Sequence, residues 1–337
     1  MEVVISNPAK RETVQRKDGQ VQQAQEKYDL IGDIHGEIST LRVLLDTLGY
    51  RESQGRYQHP GRRVVFLGDF VDRGAGQREV VELARDMVTK GDALAVMGNH
   101  EFNAIAYYTP RDKKNTAAGY LREHSSGNQR QHRAFLEAYQ HSPKDYADVI
   151  DWFKTLPMWL DLPGLRAVHA CWDPVAIARL EENYAGTPCL NDALLRAASD
   201  KETWEFDAVE NLLKGKEVPL PKGLKFTDAG GKVRHRMRIK WWSDATTYAS
   251  AFMGPEEAET DIPDDEIEGD HLVEYSHTQK PVFLGHYWLK GEPSPLAPNI
   301  ACLDYSVAKP GGKLVAYRWD GEGILSKDKF VAVDRQA

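Results

Sequence analysis

The sequence has few cysteines: Cys171, Cys189 and Cys302 are its only three, and they are widely spaced. An odd number of cysteines without a C-x-x-C pair provides no disulfide framework and is typical of a reducing compartment. The sequence also lacks an apolar run long enough to span a bilayer, and residues 1–26 are polar rather than signal-like. We therefore expect a cytoplasmic protein that does not enter a membrane.

An excess of positive charge is missing too. The 51 aspartates and glutamates outnumber the 43 lysines and arginines, and the net charge is −8. This balance argues against a protein that binds nucleic acid by general electrostatic attraction. An anionic substrate would have to be attracted locally, by metal ions or by a few arginines.

The length of 337 residues exceeds that of a usual single domain, but one large α/β domain with insertions can reach it. The sequence shows no internal repeat and no sign of a second domain. We therefore predict a loose N-terminal leader over 1–26, followed by a single domain over 27–337.

Short apolar runs and amphipathic helices alternate in the first third of the chain. Strands are predicted over 28–31, 64–67 and 93–97, and helices over 37–48 and 77–90. This order predicts parallel strands joined by right-handed crossovers. Ligands of such sheets bind at the carboxyl ends of the strands.

Each of these strands ends in a short polar motif that contains glycine. The motifs are G-D-I-H-G at 32–36, G-D-F-V-D-R-G at 68–74 and G-N-H-E at 98–101, and two later strands lead into His169 and His286. A glycine before a ligand lets the backbone turn sharply and lets another group approach it. These strand ends supply enough oxygen and imidazole ligands for two divalent ions, namely Asp33, His35, Asp69, Asn99, His169 and His286.

Each of these residues taken alone has a simpler interpretation. An aspartate at a strand end usually caps a helix, and a histidine after an apolar strand is often an interior group with its hydrogen bonds satisfied. Arg73 could be a structural ion-pair partner of Asp72. The order of the motifs along the chain favours the metal site, because three such motifs rarely occur together by chance. The other histidines, His132 among them, lie in polar stretches and are expected to face solvent.

The three motifs and the two isolated histidines resemble the phosphoprotein phosphatase branch of the calcineurin-like metallophosphoesterases. The tail segments 302–305 and 311–314 are similar to those of bacterial symmetrical diadenosine-tetraphosphatases. The resemblance runs from about 28 to 320 and leaves 103–150 and 173–240 as insertions. It implies an α/β fold whose central β-sandwich is flanked by helices and carries a dinuclear metal site at the strand ends.

The resemblance also implies a set of metal ligands. Asp33 and His35 would hold the first ion, Asp69 would bridge, and the second ion would be completed by Asn99, His169 and His286. Mixed nitrogen and oxygen ligands favour manganese, iron or zinc.

The same resemblance implies how a phosphate is bound and cleaved. Arg73 would hold the phosphate oxygens, and His100 would protonate the leaving oxygen while Asp72 orients its ring. A histidine acid needs a fixed tautomer and a pKa near the working pH, and a neighbouring carboxylate provides both. Further substrate contacts are expected from Asn99, Trp242, Asp244 and Tyr287.

The chain departs from the family pattern after its W-S-D stretch at 242–244. Family protein phosphatases have a further arginine there, but residues 245–279 contain none. Arg234, Arg236 or Arg238 could replace it.

Three functions are open at this point. The first is a phosphohydrolase that uses a metal-activated water on phosphomonoesters, carried by a phosphoprotein or a small metabolite. The second is a symmetrical hydrolase of dinucleoside polyphosphates such as diadenosine tetraphosphate. The third is a pseudo-enzyme that senses phosphate or acts as a scaffold, against which the intact ligand set argues.

Overall fold

A computed structural model describes residues 26–53, 56–184, 189–228, 231–269 and 271–336. The predicted leader over 1–26 therefore lies outside the described residues except for Glu26. None of the described helices is long and apolar enough to cross a bilayer.

Sixteen strands are found in the described part of the chain. They are β1 (Tyr28–Ile31), β2 (Arg51–Ser53), β3 (Arg56–Gln58), β4 (Arg63–Phe66), β5 (Ala93–Ala95), β6 (Trp159–Leu162), β7 (Leu165–Val168), β8 (Glu217–Pro219), β9 (Phe226–Thr227), β10 (Val233–Arg234), β11 (Arg236–Arg238), β12 (Val282–Leu284), β13 (Ile300–Cys302), β14 (Asp304–Tyr305), β15 (Lys313–Trp319) and β16 (Phe330–Asp334).

The described residues also form ten α-helices. They are α1 (Ile38–Leu48), α2 (Gln77–Thr89), α3 (Asn99–Tyr108), α4 (Ser126–Gln131), α5 (Arg133–Tyr139), α6 (Pro143–Lys154), α7 (Pro174–Asn183), α8 (Asp192–Ala197), α9 (Trp204–Lys214) and α10 (Tyr248–Ala251). Short 3-10 helices span Thr116–Ala118, Glu256–Asp261 and Lys327–Lys329.

The strands build two main sheets. The first has the order β14-β15-β1-β4-β5, with β16 added to β15, and its strands β1, β4 and β5 are parallel as predicted. The second has the order β13-β12-β7-β6, in which β13, β12 and β7 are parallel. Three two-stranded pairs complete the strands: β2 with β3, β8 with β11, and β9 with β10.

The two sheets pack face to face. Leu30 and Val65 of the first sheet share one fully buried cluster with Phe283 and Ala301 of the second. The opposite face of the first sheet, with Phe66, joins a larger core that contains the apolar side chains of the helices. Successive side chains of a strand point to opposite faces, so each strand serves both cores. The predicted helix-flanked β-sandwich of the α/β class is confirmed.

Three local elements differ from the prediction, each for a physical reason. The first strand of the β2–β3 hairpin is exposed and polar, so it has no alternation of apolar residues from which a strand could be predicted. Helix α3 is buried on all sides over 99–107 and therefore has no amphipathic stripe. The sequence predicts one helix over 129–139, but in the structure this segment is interrupted at His132, which separates α4 from α5.

Candidate active site

The carboxyl ends of β1, β4, β5, β7 and β12 meet at one edge of the sandwich. The structure brings all six predicted metal ligands together there, in a closed ring of contacts. In order around the ring these are Asp33, His35, Asp69, His169, Asn99 and His286.

Asp69 lies between His35 and His169 in this ligand ring. Its Oδ2 is 3.7 Å from His35 Nε2 and 3.4 Å from His169 Nε2. Asn99 Oδ1 lies 3.1 Å from His169 Nε2 and 2.8 Å from His286 Nδ1. The backbone N–H of His286 closes the ring by donating to Asp33 Oδ1 at 3.2 Å. Because Asp69 lies between His35 and His169, its carboxylate can contact one ion on each side.

The backbone at the site is held in an uncommon conformation. The φ angles of His35, Asp69, Asp72, Arg73 and His286 lie between 49° and 76°, in the left-handed region. Each such residue costs about 1–3 kcal/mol, and these costs are borne where the surrounding structure determines the geometry.

Part of that support comes from Glu101. Its carboxylate accepts hydrogen bonds from the backbone N–H groups of Asp69, Phe70 and Gly98, at 2.8, 2.9 and 2.9 Å. Burial raises the pKa of Glu101 to about 7. Glu101 therefore ties the ends of β4 and β5 together and does not face the ligand ring.

Two glycines allow the carboxylates to approach the chain. A Cβ at position 98 would overlap Asp69 Oδ1, and a Cβ at position 285 would overlap Asp33 Oδ1. The close approach of ligands to a strand-end glycine, expected from the sequence, is present at both positions.

The histidines of the ring are arranged as metal ligands usually are. His35 Nδ1 bonds the carbonyl of Val71 at 2.9 Å, and His169 Nδ1 bonds that of Leu67 at 2.6 Å. A histidine whose Nδ1–H donates to a backbone carbonyl can present its Nε2 to an ion. The Nε2 atoms of His35 and His286 are buried and have no hydrogen-bond partner.

The charges of the ring point to cations as well. Burial raises the pKa of Asp33 well above its usual range, and the charge of Asp304 raises it further. Burial alone would lower the pKa of His169, but Asp69 raises it to about 10. Buried carboxylates without a permanent cation are costly, and bound metal ions remove that cost. The residues therefore fit divalent ions.

His100 and Asp72 lie beside the ring. His100 Nδ1 is 2.5 Å from Asp72 Oδ2, and His100 Nε2 is 3.8 Å from Asp69 Oδ2. Burial would lower the pKa of His100, but the carboxylates of Asp69 and Asp72 raise it. Burial would raise the pKa of Asp72, but His100 and a second histidine lower it.

That second histidine is His132, which the sequence analysis does not include among the site residues. The sequence predicts that it faces solvent, but it is buried and its Nδ1 lies 2.7 Å from Asp72 Oδ1. Its ring stacks on Phe135 at 4.8 Å. A signal was present, because His132, Phe135 and Tyr139 share one helical face at spacings of three and four residues.

The residues predicted to bind substrate are placed unequally. Asn99 is a member of the ring, and Arg73 lies near enough that its charge, after burial, is the next cause that lowers the pKa of His35. Tyr287 does not line the open side: it is buried and packs edge-on against Trp242 at 5.0 Å, because its ring completes the core beneath His286. Asp244 is exposed, and none of its described contacts reaches the ligand ring.

One of the three candidate replacement arginines lies near the ring. Arg238 is 5.8 Å from the Tyr287 ring centroid, and after burial its charge is the next cause that lowers the pKa of His286. Arg234 instead pairs with Asp228, and Glu217 lies against both Arg236, at 4.0 Å, and Arg238, at 3.9 Å.

A protein-family model described as calcineurin-like phosphoesterase matches residues 27–287 of this chain. A curated protein named asymmetrical bis(5'-nucleosyl)-tetraphosphatase PrpE, from Halalkalibacterium halodurans, is 47% identical over 75 residues, which cover 22% of this chain and 30% of that protein. A protein of the same name from Oceanobacillus iheyensis is 34% identical over 125 residues, covering 35% of this chain and 50% of that protein. The chain thus spans half or less of the length of these two relatives.

Among solved structures, a protein serine/threonine phosphatase from Saccharomyces cerevisiae is 13% identical to this chain. The match covers 93% of this chain and 81% of that one, with a TM-score of 0.51. At this identity the likeness shows the fold alone, and it agrees with the sandwich described above.

Proposed function

This chain belongs to the calcineurin-like phosphoesterase family, and we propose that it is a metal-dependent phosphohydrolase. The observation that carries the proposal is the closed ring of six ligands with the His100–Asp72 pair beside it. Water would attack phosphorus, the bond from phosphorus to the leaving oxygen would break, and that oxygen would take a proton from the protein.

Two divalent ions would be held by the ligand ring, with Asp33, His35 and Asp69 on one and Asp69, Asn99, His169 and His286 on the other. When bound, such ions neutralise phosphate charge and lower the pKa of a bound water. Manganese, iron or zinc suits this donor set.

His100 would supply the proton from Nε2. Its Nδ1 is fixed by Asp72, so Nε2 is the nitrogen that faces the ring. The raised pKa keeps the imidazole of His100 protonated closer to neutral pH, as a general acid requires. His132 would hold the second oxygen of Asp72 and so keep the carboxylate in the plane that His100 needs.

Arginines would bind the phosphate oxygens. Arg73 is exposed next to the ring, where its planar fork of donors can match two phosphate oxygens. We propose Arg238 as the second such residue, in place of the arginine missing after 242–244, because its guanidinium lies 5.8 Å from the ring centroid of Tyr287, the neighbour of His286.

A second candidate narrows the substrate to dinucleoside polyphosphates. It is favoured by the names of the two curated relatives, which specify asymmetrical tetraphosphatases. The tail of this chain suggested symmetrical cleavage instead. The products separate the two, since asymmetrical cleavage of diadenosine tetraphosphate yields ATP and AMP and symmetrical cleavage yields two ADP.

The test compares leaving groups in Mn²⁺. p-Nitrophenolate leaves without a proton, whereas phenolate needs one. The variant H100N should therefore lose about 10²- to 10⁴-fold of kcat on phenyl phosphate and far less on p-nitrophenyl phosphate. H141N, which changes an exposed histidine in the same way, is the matched control.

Phosphoserine, phosphothreonine and phosphotyrosine peptides and diadenosine tetraphosphate complete the panel. An equal loss on both phenyl esters would refute His100 as the acid. If the metal-loaded protein turns over none of these substrates, the hydrolase proposal fails and the phosphate-sensing alternative takes its place.

A further inference from the structure

A cavity opens next to Arg73. Its volume is about 410 Å³, and it is lined by Arg73, Arg130, Gln131, Arg133, Ala134 and Trp288. The described residues place three arginines and no carboxylate in this wall. In a chain with a net charge of −8, that is a local concentration of positive charge.

A fourth cation stands at the edge of this cationic cavity. The guanidinium carbon of Arg73 lies 3.9 Å from the centroid of the Trp288 ring, and Lys309 Nζ lies 3.8 Å from it. Cation–π contacts of this kind hold both side chains against the indole. Trp288 thus keeps two like charges close together. Asp304, whose Oδ2 accepts a hydrogen bond from the Trp288 backbone N–H at 2.8 Å, offsets part of their repulsion, and an anion in the cavity would offset more of it.

The arginines of the wall are available to a ligand. Arg73 and Arg130 form an ion pair with none of the described carboxylates. Arg133 Nε is 3.8 Å from Glu137 Oε1, but both side chains are largely exposed, so the pair is weak. An arginine without a strong carboxylate partner keeps its fork of donors free for phosphate.

The cavity continues beyond these arginines. Arg130 and Arg133 also line a neighbouring cavity of about 410 Å³, whose other walls include Tyr107, Leu136 and the carboxylate of Glu137. A phosphate chain that starts at Arg73 can therefore extend past Arg130 and Arg133 towards this second cavity. Both volumes lie in the range of small-molecule sites.

We propose that the cationic cavity binds the further phosphate groups of a polyphosphate substrate while the phosphate to be cleaved lies at the ligand ring. The inference rests on the proposed function, because it takes the phosphate beside Arg73 to be the reacting one. A simple monoester would leave Arg130 and Arg133 without a ligand. The ligand class is a chain of several phosphates, carried either as inorganic polyphosphate or as a nucleoside polyphosphate.

The test is calorimetric binding to the metal-loaded H100N protein, in which turnover is slowed, and the titrated ligand is checked for hydrolysis after each run. Inorganic tripolyphosphate and orthophosphate are titrated into H100N alone and into H100N with R130Q and R133Q. Tripolyphosphate should bind at least about tenfold more weakly to the arginine variant, whereas orthophosphate should lose much less. The control adds R42Q and R85Q, which remove the same charge from exposed positions on α1 and α2 and should change neither affinity.

An equal loss for both ligands would overturn the proposal, since the arginines would then act through the fold or through the general field. No loss for tripolyphosphate would overturn it as well. Diadenosine tetraphosphate distinguishes the source of the chain: tighter binding than tripolyphosphate identifies a nucleoside polyphosphate, and equal binding identifies the phosphate chain alone. If wild-type protein hydrolyses nothing while the tripolyphosphate difference persists, the hydrolase proposal fails and the cavity assignment stands.

Discussion

Strand β1 carries a buried aspartate near each end, and the two are treated in opposite ways. At the start, both oxygens of Asp29 accept from Arg62 Nε at 3.0 Å, and Arg318 Nε donates to Oδ1 at 3.1 Å. Past the other end, Asp33 has the backbone N–H of His286 and histidine rings around it, and no described arginine pairs with it.

Burial therefore means different things at the two ends of the same strand. Arg62 also binds Asp320 and two backbone carbonyls. At the Asp29 end of β1, which we call the paired end, the buried charges are therefore balanced by described side chains. At the Asp33 end, which we call the ring end, no described arginine balances the carboxylate, and burial raises the pKa of Asp33. A buried carboxylate with its arginine stabilises the fold, whereas one without a cation marks a place for an ion.

Asp33→Asn should break the ring end. Loss of an ion that supplies several kcal/mol of charge stabilisation predicts a fall in kcat/KM on the order of 10³-fold. Metal content, measured by mass spectrometry, should fall with it. In EDTA the free energy of unfolding should stay the same or rise, because the raised pKa means that the ionised carboxylate opposes folding at neutral pH. A variant that keeps both ions and full activity would show that the ring is not a metal site.

Asp29→Asn should break the paired end instead. Removing this carboxylate charge leaves Arg62 with Asp320 as its remaining described carboxylate partner, so the free energy of unfolding should fall by about 1–3 kcal/mol in urea titrations. Turnover by the folded fraction should not change. D148N, at an exposed position, is the control and should stay within about 0.5 kcal/mol of wild type. Loss of metal or of kcat in D29N would contradict the division between the two ends.

His132 tests whether the ring end depends on its outer supports. His132→Leu removes the donor to Asp72 Oδ1 and should lower kcat about tenfold with little change in KM, since the acid is misplaced and binding is not. His132→Asn keeps an N–H near the same position and should recover most of the loss. If both variants lose equal activity, the effect comes from packing against Phe135 rather than from the hydrogen bond.

The smallest expected effect is the pH dependence of the paired end. Lys329, then burial, then Arg62 act on Asp320, with the net result that its pKa lies below the usual range. Because the pKa of Asp320 is lower in the folded than in the unfolded state, its ionised carboxylate stabilises the fold at pH values above the unfolded pKa. This stabilisation is lost as the pH falls below about 4. D320N should therefore lose about 1 kcal/mol or less at neutral pH and show a flatter stability curve below pH 4. A curve parallel to that of wild type would assign the acid sensitivity to other carboxylates.

Residues within about five positions of a strand end were predictable from sequence. The glycine motifs around Asp33, Asp69 and Asn99 combine a strand, a turn and its polar residues in one stretch, so local geometry places the side chains. His169 and His286 were predictable for a weaker reason, their position directly after a short apolar strand.

Residues far from those ends were not predictable. Arg130, His132 and Arg133 belong to an insertion whose helices carry no motif, and only the packing of α5 against α2 and α6 brings them to Asp72 and Arg73. The sequence analysis predicts Tyr287 rather than its neighbour Trp288 as a substrate contact, because sequence does not show which of two adjacent aromatic rings points inward.

The sequence by itself determined that the first strands are parallel and which polar side chains gather at the strand ends, because these depend on periodicity and on residues close together in the chain. Only the tertiary structure decided the partners of Asp72, the walls of the cationic cavity and the contrast between Asp29 and Asp33. Those depend on contacts between side chains as much as 289 positions apart. The energy of such a contact comes from burial and geometry that no local pattern records.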